Sequence, residues 1–556
     1  MKETLIDIET YSEVDIGKCG LYRYATDPSF EILLVAWATD EGDGFGETRC
    51  ADLASGEPLP EELLEDFKSG NVRLIAHNAS FERVCFSVHL QRHLPGQYLK
   101  PGEFLSPDSW ICTMVMAASL TLPMALKDVG TVLKTSQQKD KEGERLIRMF
   151  SMPCKPTKSN GMRTRNLPEH YPADWEKFKY YCIQDVNTEV DIYKRLKKFP
   201  MPEQEWKHYR VNERINDRGV KIDTELVQQA IACDLMLSDA MSKKAYELTG
   251  LENPNSVSQL KSWLDERGIP MDTLGKKDVA QMIAELDKNG VDAEAMDMLK
   301  LRLQMAKSSV KKYQAAERCV CSDGRARGLF QFYGASRTGR YSGRNIQLQN
   351  LPQNHISTLD EARELVKLGC FDMVETIYGN TPDVLSQLIR TMLIPKEGCE
   401  FIVADFSAIE ARVLAWEAGE EWRLEAFLEG KDIYCASASQ MFHVPVVKHG
   451  INGELRQKGK VAELACGYGG SSGALISMGA LQMGLKEEEL PEIIDSWREA
   501  NPKIVQYWWD VEKAATQAFK TGKRQEIGKL AFEFYSGTLW MLLPSGRKLV
   551  YLKPRL

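Results

Sequence analysis

Acidic side chains in three separated segments of the sequence could bind a divalent cation. Asp7 and Glu9 stand two residues apart in a short apolar run, and the period of a β-strand places both on one face. Glu82 follows an apolar run and a turn, near the start of a predicted helix. Tyr181 and Asp185 lie four residues apart on a later predicted helix and share one helical face. Carboxylates are hard oxygen ligands, so these segments indicate a magnesium site.

Each of these segments also has an ordinary structural interpretation. Acids at a strand end are commonly solvated, and an acid in the first turn of a helix is favoured by the helix dipole. An aromatic residue beside an acid is typical of any amphipathic helix. Taken separately, the three segments leave both interpretations open.

A second group of residues could meet a triphosphate and a base. An apolar run that is predicted to be a strand ends at Asp405, a common position for a metal-binding carboxylate. Further along, Arg456, Lys460, Leu464 and Tyr468 follow at steps of four, which predicts one stripe on a helix that ends near Gly467, Gly469 and Gly470. The alternative for this stripe is a solvated helix face with a tyrosine in the core.

The composition of the 556-residue chain excludes a disordered or fibrous protein, because 43% of it is hydrophobic and 27% is charged. Its length predicts about three or four domains. A formal net charge of −8 gives no global attraction to nucleic acid, so a polyanion must meet local basic clusters. The densest basic stretch contains Lys307, Lys311, Lys312, Arg318, Arg325, Arg327, Arg337, Arg340 and Arg344.

The cysteines and the N-terminus bear on the expected location of the chain. Thirteen cysteines without a Cys-x-x-Cys pair predict neither a disulfide framework nor a zinc ribbon. The N-terminus does not resemble an export signal, and no apolar stretch is long enough to span a membrane. We therefore expect a reducing cytoplasm and no membrane partner.

The pattern of elements changes along the chain. Residues 4–198 alternate strand-like apolar runs, such as residues 31–37 and 72–76, with helical periodicity, which predicts an α/β domain. Residues 201–303 are mainly helical in period, with a short strand near Val220. Near the end, residues 538–543 and 548–552 predict two strands joined by a Pro-Ser-Gly turn.

The first acidic set resembles the exonuclease motifs of the DEDD superfamily, in the subtype whose third motif is Tyr-x-x-x-Asp. The resemblance covers residues 4–195 and implies an RNase H-like fold that removes nucleotides from a DNA 3′ end. It implies that Asp7, Glu9, Glu82 and Asp185 hold two divalent ions. It also implies that the Tyr181 hydroxyl orients the attacking water. Glu82 departs from the family, which usually has Asp there.

The second set resembles family A DNA polymerases. Asp405-Phe406-Ser407-Ala408-Ile409-Glu410 is similar to their motif A, and Arg456-x-x-x-Lys460 with Tyr468-Gly469 is similar to motif B. Upstream, residues 338–342 and 345–352 are similar to the primer-template segment of the same family. An exonuclease module before such a region resembles bacterial DNA polymerase I and phage replicative polymerases.

This resemblance implies a role for each matching residue. Asp405 would bind catalytic Mg²⁺ or Mn²⁺, and Glu410 would exclude ribonucleotides. Arg456 and Lys460 would hold the deoxynucleoside triphosphate, and Tyr468 would lie beside the templating pair. The residues implied to contact the DNA primer-template are Arg340, Asn345, Gln347 and Asn350. Leu464 replaces an aromatic residue of the family and Ala408 replaces a Gln, so nucleotide selection is not predicted.

The expected fold class is α/β and α+β multidomain, an RNase H-like exonuclease followed by a right-hand polymerase region. The expected domains are the exonuclease at 1–198, a helical thumb and linker at 199–335, a palm at 336–430, fingers at 431–525 and a partial return to the palm at 526–556.

One motif of family A polymerases is missing. The family carries a second palm carboxylate in a His-Asp-Glu turn, and this sequence contains no His-Asp-Glu. We therefore expect a palm that is incomplete at its C-terminal end through truncation, a split gene or an incomplete chain. Replisome proteins or a separate chain that completes the palm are the further partners considered.

Three functions follow as hypotheses. The favoured one is a replicative DNA-templated DNA polymerase with 3′–5′ proofreading. The second is a chain active only as a 3′–5′ exonuclease, since a single palm carboxylate leaves a two-ion site half built. The third is a nucleic-acid-binding protein without catalysis.

Overall fold

The computed structural model divides the chain into two compact units, each with its own core. The first unit consists of Met1–Ala118 and Leu122–Glu400, and the second of Ser119–Thr121 and Phe401–Leu556. The residues that the structure describes are 1–135, 141–289, 292–305, 310–335, 337–481, 483 and 485–556. Among them, no helix is both long and apolar enough to cross a membrane.

The first unit begins with a five-stranded sheet of order β3-β2-β1-β4-β5. Its strands are β1 (Glu3–Tyr11), β2 (Glu31–Asp40), β3 (Arg49–Asp52), β4 (Arg73–Ala76) and β5 (Trp110–Cys112). β1 pairs antiparallel with β2 and parallel with β4, and β4 pairs parallel with β5. The predicted strands at residues 31–37 and 72–76 are therefore confirmed.

The central strand β1 forms because its apolar residues are covered on both faces. Leu5, Ile6 and Ile8 are buried, and so is most of the facing strand β2. The pairing with β2 shifts register between Glu9 and Thr10, at the end of the strand that carries the acidic pair. Such bulges are common beside functional sites because they redirect a side chain.

Eight helices accompany the sheet in the described part of the first two hundred residues. They are α1 (Ile16–Cys19), α2 (Leu21–Thr26), α3 (Glu61–Ser69), α4 (Ser80–His93), α5 (Thr113–Ser119), α6 (Leu126–Leu133), α7 (Lys141–Phe150) and α8 (Pro172–Leu196). α4 follows β4 through a turn in which Asn78 has a left-handed backbone, with φ 76°. The long helix α8 packs across β1, β2 and β3, and α4 packs on β1 and β2.

The rest of the first unit is mainly helical, as predicted for residues 201–303. Its helices are α9 (Glu203–Arg218), α10 (Thr224–Thr249), α11 (Val257–Glu266), α12 (Lys276–Asn289), α13 (Ala293–Met305), α14 (Val310–Cys319), α15 (Leu359–Lys367), α16 (Phe371–Tyr378) and α17 (Thr381–Leu388). Its strands are β6 (Val220–Ile222), β7 (Arg325–Ala326), β8 (Phe330–Ala335), β9 (Arg340–Gly343) and β10 (Leu393–Ile394). β6 joins β7 and β10 in one small sheet, and β8 pairs with β9 in another.

The second unit combines helices with a four-stranded antiparallel sheet. Its helices are α18 (Ile409–Ala418), α19 (Glu421–Leu428), α20 (Ile433–Phe442), α21 (Leu455–Cys466), α22 (Ser472–Ser477), α23 (Leu490–Ala500) and α24 (Pro502–Thr521). Its strands, in sheet order, are β11 (Gln525–Ile527), β12 (Leu530–Tyr535), β13 (Thr538–Leu542) and β14 (Lys548–Leu552). The two predicted C-terminal strands are confirmed as β13 and β14.

The strand predicted to end at Asp405 does not form. Residues 401–406 have no regular structure, and Ile402 and Val403 are each 90% exposed. A strand needs hydrogen-bonded neighbours, and the sheet of this unit contains only β11 to β14. The apolar composition therefore predicted a strand for which the described residues supply no partner.

Candidate active sites

Five of the predicted residues lie in one buried cleft of the first unit. β1 places Asp7 and Glu9, the first turn of α4 places Glu82, and α8 places Tyr181 and Asp185. Asp7 is half-buried and the other four are buried. The strand period and the four-residue helical step together bring the two predicted pairs to face each other, because α8 packs over β1.

The electrostatics of this cleft are those of like charges held close together. Burial raises the pKa of Glu82 well above its usual range, and the charges of Asp7 and Glu9 raise it further. Burial and the neighbouring Asp185 raise the pKa of Tyr181. The Tyr181 hydroxyl therefore keeps its proton at neutral pH. Such perturbed acids mark candidate functional sites.

Close contacts fix the side chains at the edge of the cleft. The Cys182 thiol donates to Asp7, with Sγ 3.7 Å from Oδ2. The ring of Phe178 stacks on that of Tyr181 at 6.3 Å. On α7, Gly143 lies so close to the Tyr181 ring that a Cβ atom there would overlap it. A glycine at this position is therefore required for the observed position of Tyr181.

The cleft has the chemistry of a cation site without its final geometry. One buried carboxylate oxygen of Glu82, Oε2, has no hydrogen-bond partner among the described residues. A divalent cation would satisfy this oxygen and offset the repulsion among the acids, so the residues fit such an ion. Among the described residues, no three His, Cys, Asp or Glu side chains are already arranged to hold a metal.

A cavity of about 280 Å³ adjoins Glu9 of β1. Glu9, Glu13 and Asp15 are among its polar lining residues, and Tyr24 and Phe81 are among its aromatic ones. A cavity with one charged edge and aromatic walls suits a molecule with a charged group next to a flat ring.

In the second unit, motif A lies on an exposed segment. Asp405 and Glu410 are both exposed, and Glu410 is in the first turn of α18. Ala408 precedes this helix with a left-handed backbone, φ 51°. The two acids are therefore near each other in sequence, but no β-strand holds Asp405 in place.

The predicted stripe of motif B is mostly on one helix. Arg456, Lys460 and Leu464 lie on α21, and buried Val461 and Ala465 occupy its opposite side. The predicted helix end near Gly467 is confirmed, since α21 ends at Cys466. The prediction that Tyr468 belongs to the helical stripe is wrong, because Tyr468 follows the helix in a turn and is 66% exposed. The small, flexible Gly467 and Gly469 on either side of it favour an early helix end.

Two residues that the sequence reasoning missed contact Arg456. Its Nε and Nη2 donate to Oδ2 of Asp432 at 3.0 and 2.7 Å. Its guanidinium also lies 5.2 Å from the ring centre of Tyr434. Asp432 caps α20 by accepting from two backbone N–H groups, so its side chain is fixed. The signal available in the sequence was an Asp before a helical run, which is typical of a helix cap.

The back of α21 is anchored by a buried ion pair. Arg423, 1% exposed, donates to Glu463, which also accepts from Ser437 and from Trp497 Nε1 at 2.8 Å. Gly459 lets α20 approach, because a Cβ atom there would overlap the carbonyl of Tyr434. The stripe of α21 is therefore presented by a helix that is firmly packed from behind.

The four residues predicted to contact DNA lie along one polar segment of the first unit. Arg340 is exposed on β9, and Gln347 and Asn350 are joined by a hydrogen bond of 3.2 Å. Asn345 and Gln347 have left-handed backbones, with φ 53° and 55°. Non-glycine residues held in this conformation are concentrated at functional loops. Asn345 differs from the others because its amide packs against Gly20.

Cations of the basic stretch serve the fold as well. Lys312 donates to the carbonyl of Ile346 at 2.8 Å and so holds the polar segment from behind. Arg325 and Arg327 donate to carbonyls at the end of α9, and Arg327 also pairs with Asp323. Lys307 lies outside the described residues. The part of this stretch available to a polyanion is therefore smaller than its composition suggests.

Comparisons with known proteins identify relatives of the whole chain. The family model described as DNA polymerase family A matches residues 229–527. The DNA polymerase of Bacillus phage SP02 is 53% identical over 557 residues, which cover 100% of this chain and 83% of that protein.

More distant relatives include the DNA polymerases I of Geobacillus stearothermophilus and Pseudomonas aeruginosa. They are 27% and 26% identical over 54% and 56% of this chain. The matched region spans only 31% and 30% of those two proteins.

A solved structure has the same fold. It is described as the POL domain of Pol1 from M. smegmatis in complex with DNA primer-template and dNTP. Its TM-score is 0.57 at 17% identity, over 99% of this chain and 77% of that one. This likeness concerns the fold alone.

Proposed function

The chain belongs to DNA polymerase family A, and from this premise we propose that it extends a DNA primer on a template and proofreads with a 3′–5′ exonuclease. The observation that carries the exonuclease part is the cleft in which Asp7, Glu9, Glu82 and Asp185 share one electrostatic field with Tyr181. The sheet order β3-β2-β1-β4-β5 supports an RNase H-like exonuclease fold.

In the exonuclease, the four carboxylates would hold two Mg²⁺ or Mn²⁺ ions. When bound, these ions would stabilise the entering and leaving oxygens of the displacement at phosphorus. Tyr181 orients the attacking water by hydrogen bonding and does not remove its proton, because the raised pKa keeps its hydroxyl protonated. Gly143 and Phe178 hold the ring in that position. The cavity beside Glu9 receives the terminal nucleotide, whose base contacts the aromatic walls.

In the polymerase, α21 presents positive charge to the triphosphate. Arg456 and Lys460 offset the charge that shifts toward pyrophosphate during transfer. Asp405 would hold the catalytic ion, and Glu410 would limit access at the sugar 2′ position. The exposed polar segment from Arg340 to Asn350 contacts the primer-template, where backbone and minor-groove contacts depend little on sequence. Partners are therefore a DNA primer-template and deoxynucleoside triphosphates.

Two variants test the exonuclease and the polymerase activity separately. Asp7→Ala combined with Glu9→Ala should lower digestion of single-stranded DNA by roughly 10³-fold, because metal-ion stabilisation contributes several kcal/mol. The same variant should still extend a primer with Mg²⁺ and four deoxynucleotides. Asp405→Ala should show the reverse pattern.

The outcomes discriminate among the three functions. Digestion without extension by the unmutated chain would favour an exonuclease alone, as the missing His-Asp-Glu turn first indicated. Extension that Asp405→Ala abolishes would establish a working polymerase whose second ligand is another residue. If the unmutated chain neither digests DNA nor extends a primer, the remaining function is DNA binding without catalysis.

A further inference from the structure

A fifth acid lies in the exonuclease cleft. Glu189 follows Asp185 by four residues on α8, as Asp185 follows Tyr181, so the three share one face of the helix. Glu189 is 1% exposed. The charges that act on it include those of Asp7, Glu82 and Asp185. Its carboxyl group therefore belongs to the same electrostatic field as the predicted metal ligands.

The surroundings of Glu189 do not compensate its burial. Its Oε2 accepts no hydrogen bond, and it forms no ion pair with any other described residue. Burial and three neighbouring acids raise its pKa well above the usual range. An uncompensated buried carboxyl group lowers stability, whereas a glutamine or leucine of similar size would fill the same space. Packing alone therefore gives no reason for an acid here.

Glu82 and Glu189 share an unusual property. Each is buried to at least 97% and each has an Oε2 atom without a hydrogen-bond partner among the described residues. Two unpartnered carboxylate oxygens near the same acids are stable only if the carboxyl groups are protonated or if a cation binds them. Divalent cations bind carboxylate oxygens, and Mg²⁺ accepts several of them in its coordination shell.

We propose that Glu189 is an additional ion-binding residue of the exonuclease, and that with Glu82 it takes up one divalent cation. The proposal rests on the exonuclease function proposed above and adds a fifth carboxylate to the four that the motifs predicted. Glu189 contacts the ion and not the DNA, so it acts on ion affinity more than on the rate at saturating ion.

The test counts Mn²⁺ bound by the full chain, with free Mn²⁺ measured by electron paramagnetic resonance. All proteins in the test carry Asp405→Ala, which removes the carboxylate of the second unit that is proposed to bind an ion. Glu189→Gln should weaken one Mn²⁺ site at least tenfold or remove it. Glu189→Asp should give an intermediate affinity, since it keeps the charge. The midpoint of thermal unfolding without metal should rise in Glu189→Gln, and the rise caused by Mn²⁺ should shrink.

Glu3→Gln is the matched control. Glu3 is also a buried glutamate of this unit, but it is paired with Lys197 and accepts from Tyr193. This variant should lose stability and bind Mn²⁺ as its parent does.

The inference would be overturned if Glu189→Gln bound Mn²⁺ as its parent does and the double variant Asp7→Ala, Glu9→Ala lost ions. No loss of ions in that double variant would instead overturn the exonuclease site itself. If Glu189→Gln fails to fold, Glu189→Asp decides: unchanged ion affinity overturns the inference, and weakened affinity supports it.

Discussion

The acidic cleft of the first unit, which is the proposed exonuclease site, and helix α21, the proposed nucleotide site, differ in how they are built to meet charged ligands. The cleft gathers buried acids whose repulsion raises the pKa of Glu82, so its own stability favours a cation. Helix α21 presents Arg456 near the surface, already paired with Asp432. A cation site of buried acids lowers stability until it is filled, whereas a paired cation at the surface lowers it little. The electrostatic strain is therefore concentrated in the acidic cleft and not at α21.

The largest expected effect is on the anchor behind the helix. Arg423→Ala leaves buried Glu463 without its ion-pair partner and should lower the free energy of unfolding by about 3–5 kcal/mol. The measurement is denaturant unfolding followed by tryptophan fluorescence, because Trp497 donates to Glu463. Arg267→Ala breaks a more exposed ion pair with Asp292 and should cost less than about 1 kcal/mol. Equal losses would mean that α21 is not anchored through this pair.

The next effect is on the position of Tyr181 in the cleft. In Gly143→Ala, the new methyl group must displace the Tyr181 ring, and digestion of single-stranded DNA should fall roughly 10²-fold. Helix propensity alone would favour alanine there. Gly473→Ala, in the open space of α22, is the control and should change nothing.

A double variant shows whether Gly143 acts through the tyrosine. Gly143→Ala combined with Tyr181→Phe should digest DNA no more slowly than Tyr181→Phe alone. Fully additive losses would show that the glycine acts elsewhere.

The two sites also differ in how far the sequence predicted them. The acidic pair of β1 and the Tyr181–Asp185 step follow directly from strand and helix periods, and the structure brings them together. The glycines after Cys466 predicted the end of α21, but the stripe was extended one step too far, to Tyr468, which follows the helix in a turn. Local periodicity does not predict which distant residues a side chain contacts. The contacts of Asp432 with Arg456 and of Gly143 with Tyr181 were missed for this reason.

The segment around Asp405 shows the other limit of sequence patterns. The run Phe401–Val403 has the composition of a buried strand, yet it is exposed and irregular. A strand depends on hydrogen bonds to segments distant in sequence. Composition therefore predicts the β-strand propensity of this segment but not whether a partner strand is available to it.

A pH experiment sharpens the contrast by measuring the repulsion in the cleft. The raised pKa of Glu82 means that the native state binds a proton more tightly than the unfolded chain does. The free energy of unfolding therefore falls as pH rises above about 4.3, the usual pKa of glutamate. Without metal at pH 8, Glu82→Gln should be more stable than the unmutated chain by roughly 1–3 kcal/mol.

That gain should disappear near pH 4, where the carboxyl group is protonated in both states. Saturating Mg²⁺ should reverse the order at pH 8, because the variant has lost one ligand and the ions stabilise more strongly the chain that retains Glu82. Chemical unfolding across this pH range tests both expectations. A gain that is constant with pH would mean that Glu82 does not titrate in the native protein.

The smallest expected effect is at the Asp432–Arg456 pair. Asp432→Asn keeps an oxygen to cap α20 but removes the charge that holds the guanidinium. Arg456 must then be immobilised when the triphosphate binds, at a cost of about 1 kcal/mol, which corresponds to roughly fivefold weaker binding. Titration of a non-hydrolysable deoxynucleotide into the chain with primer-template measures it. Tighter binding would instead show that Asp432 competes with the triphosphate, and the helix, like the cleft, would then hold its charge in a strained state.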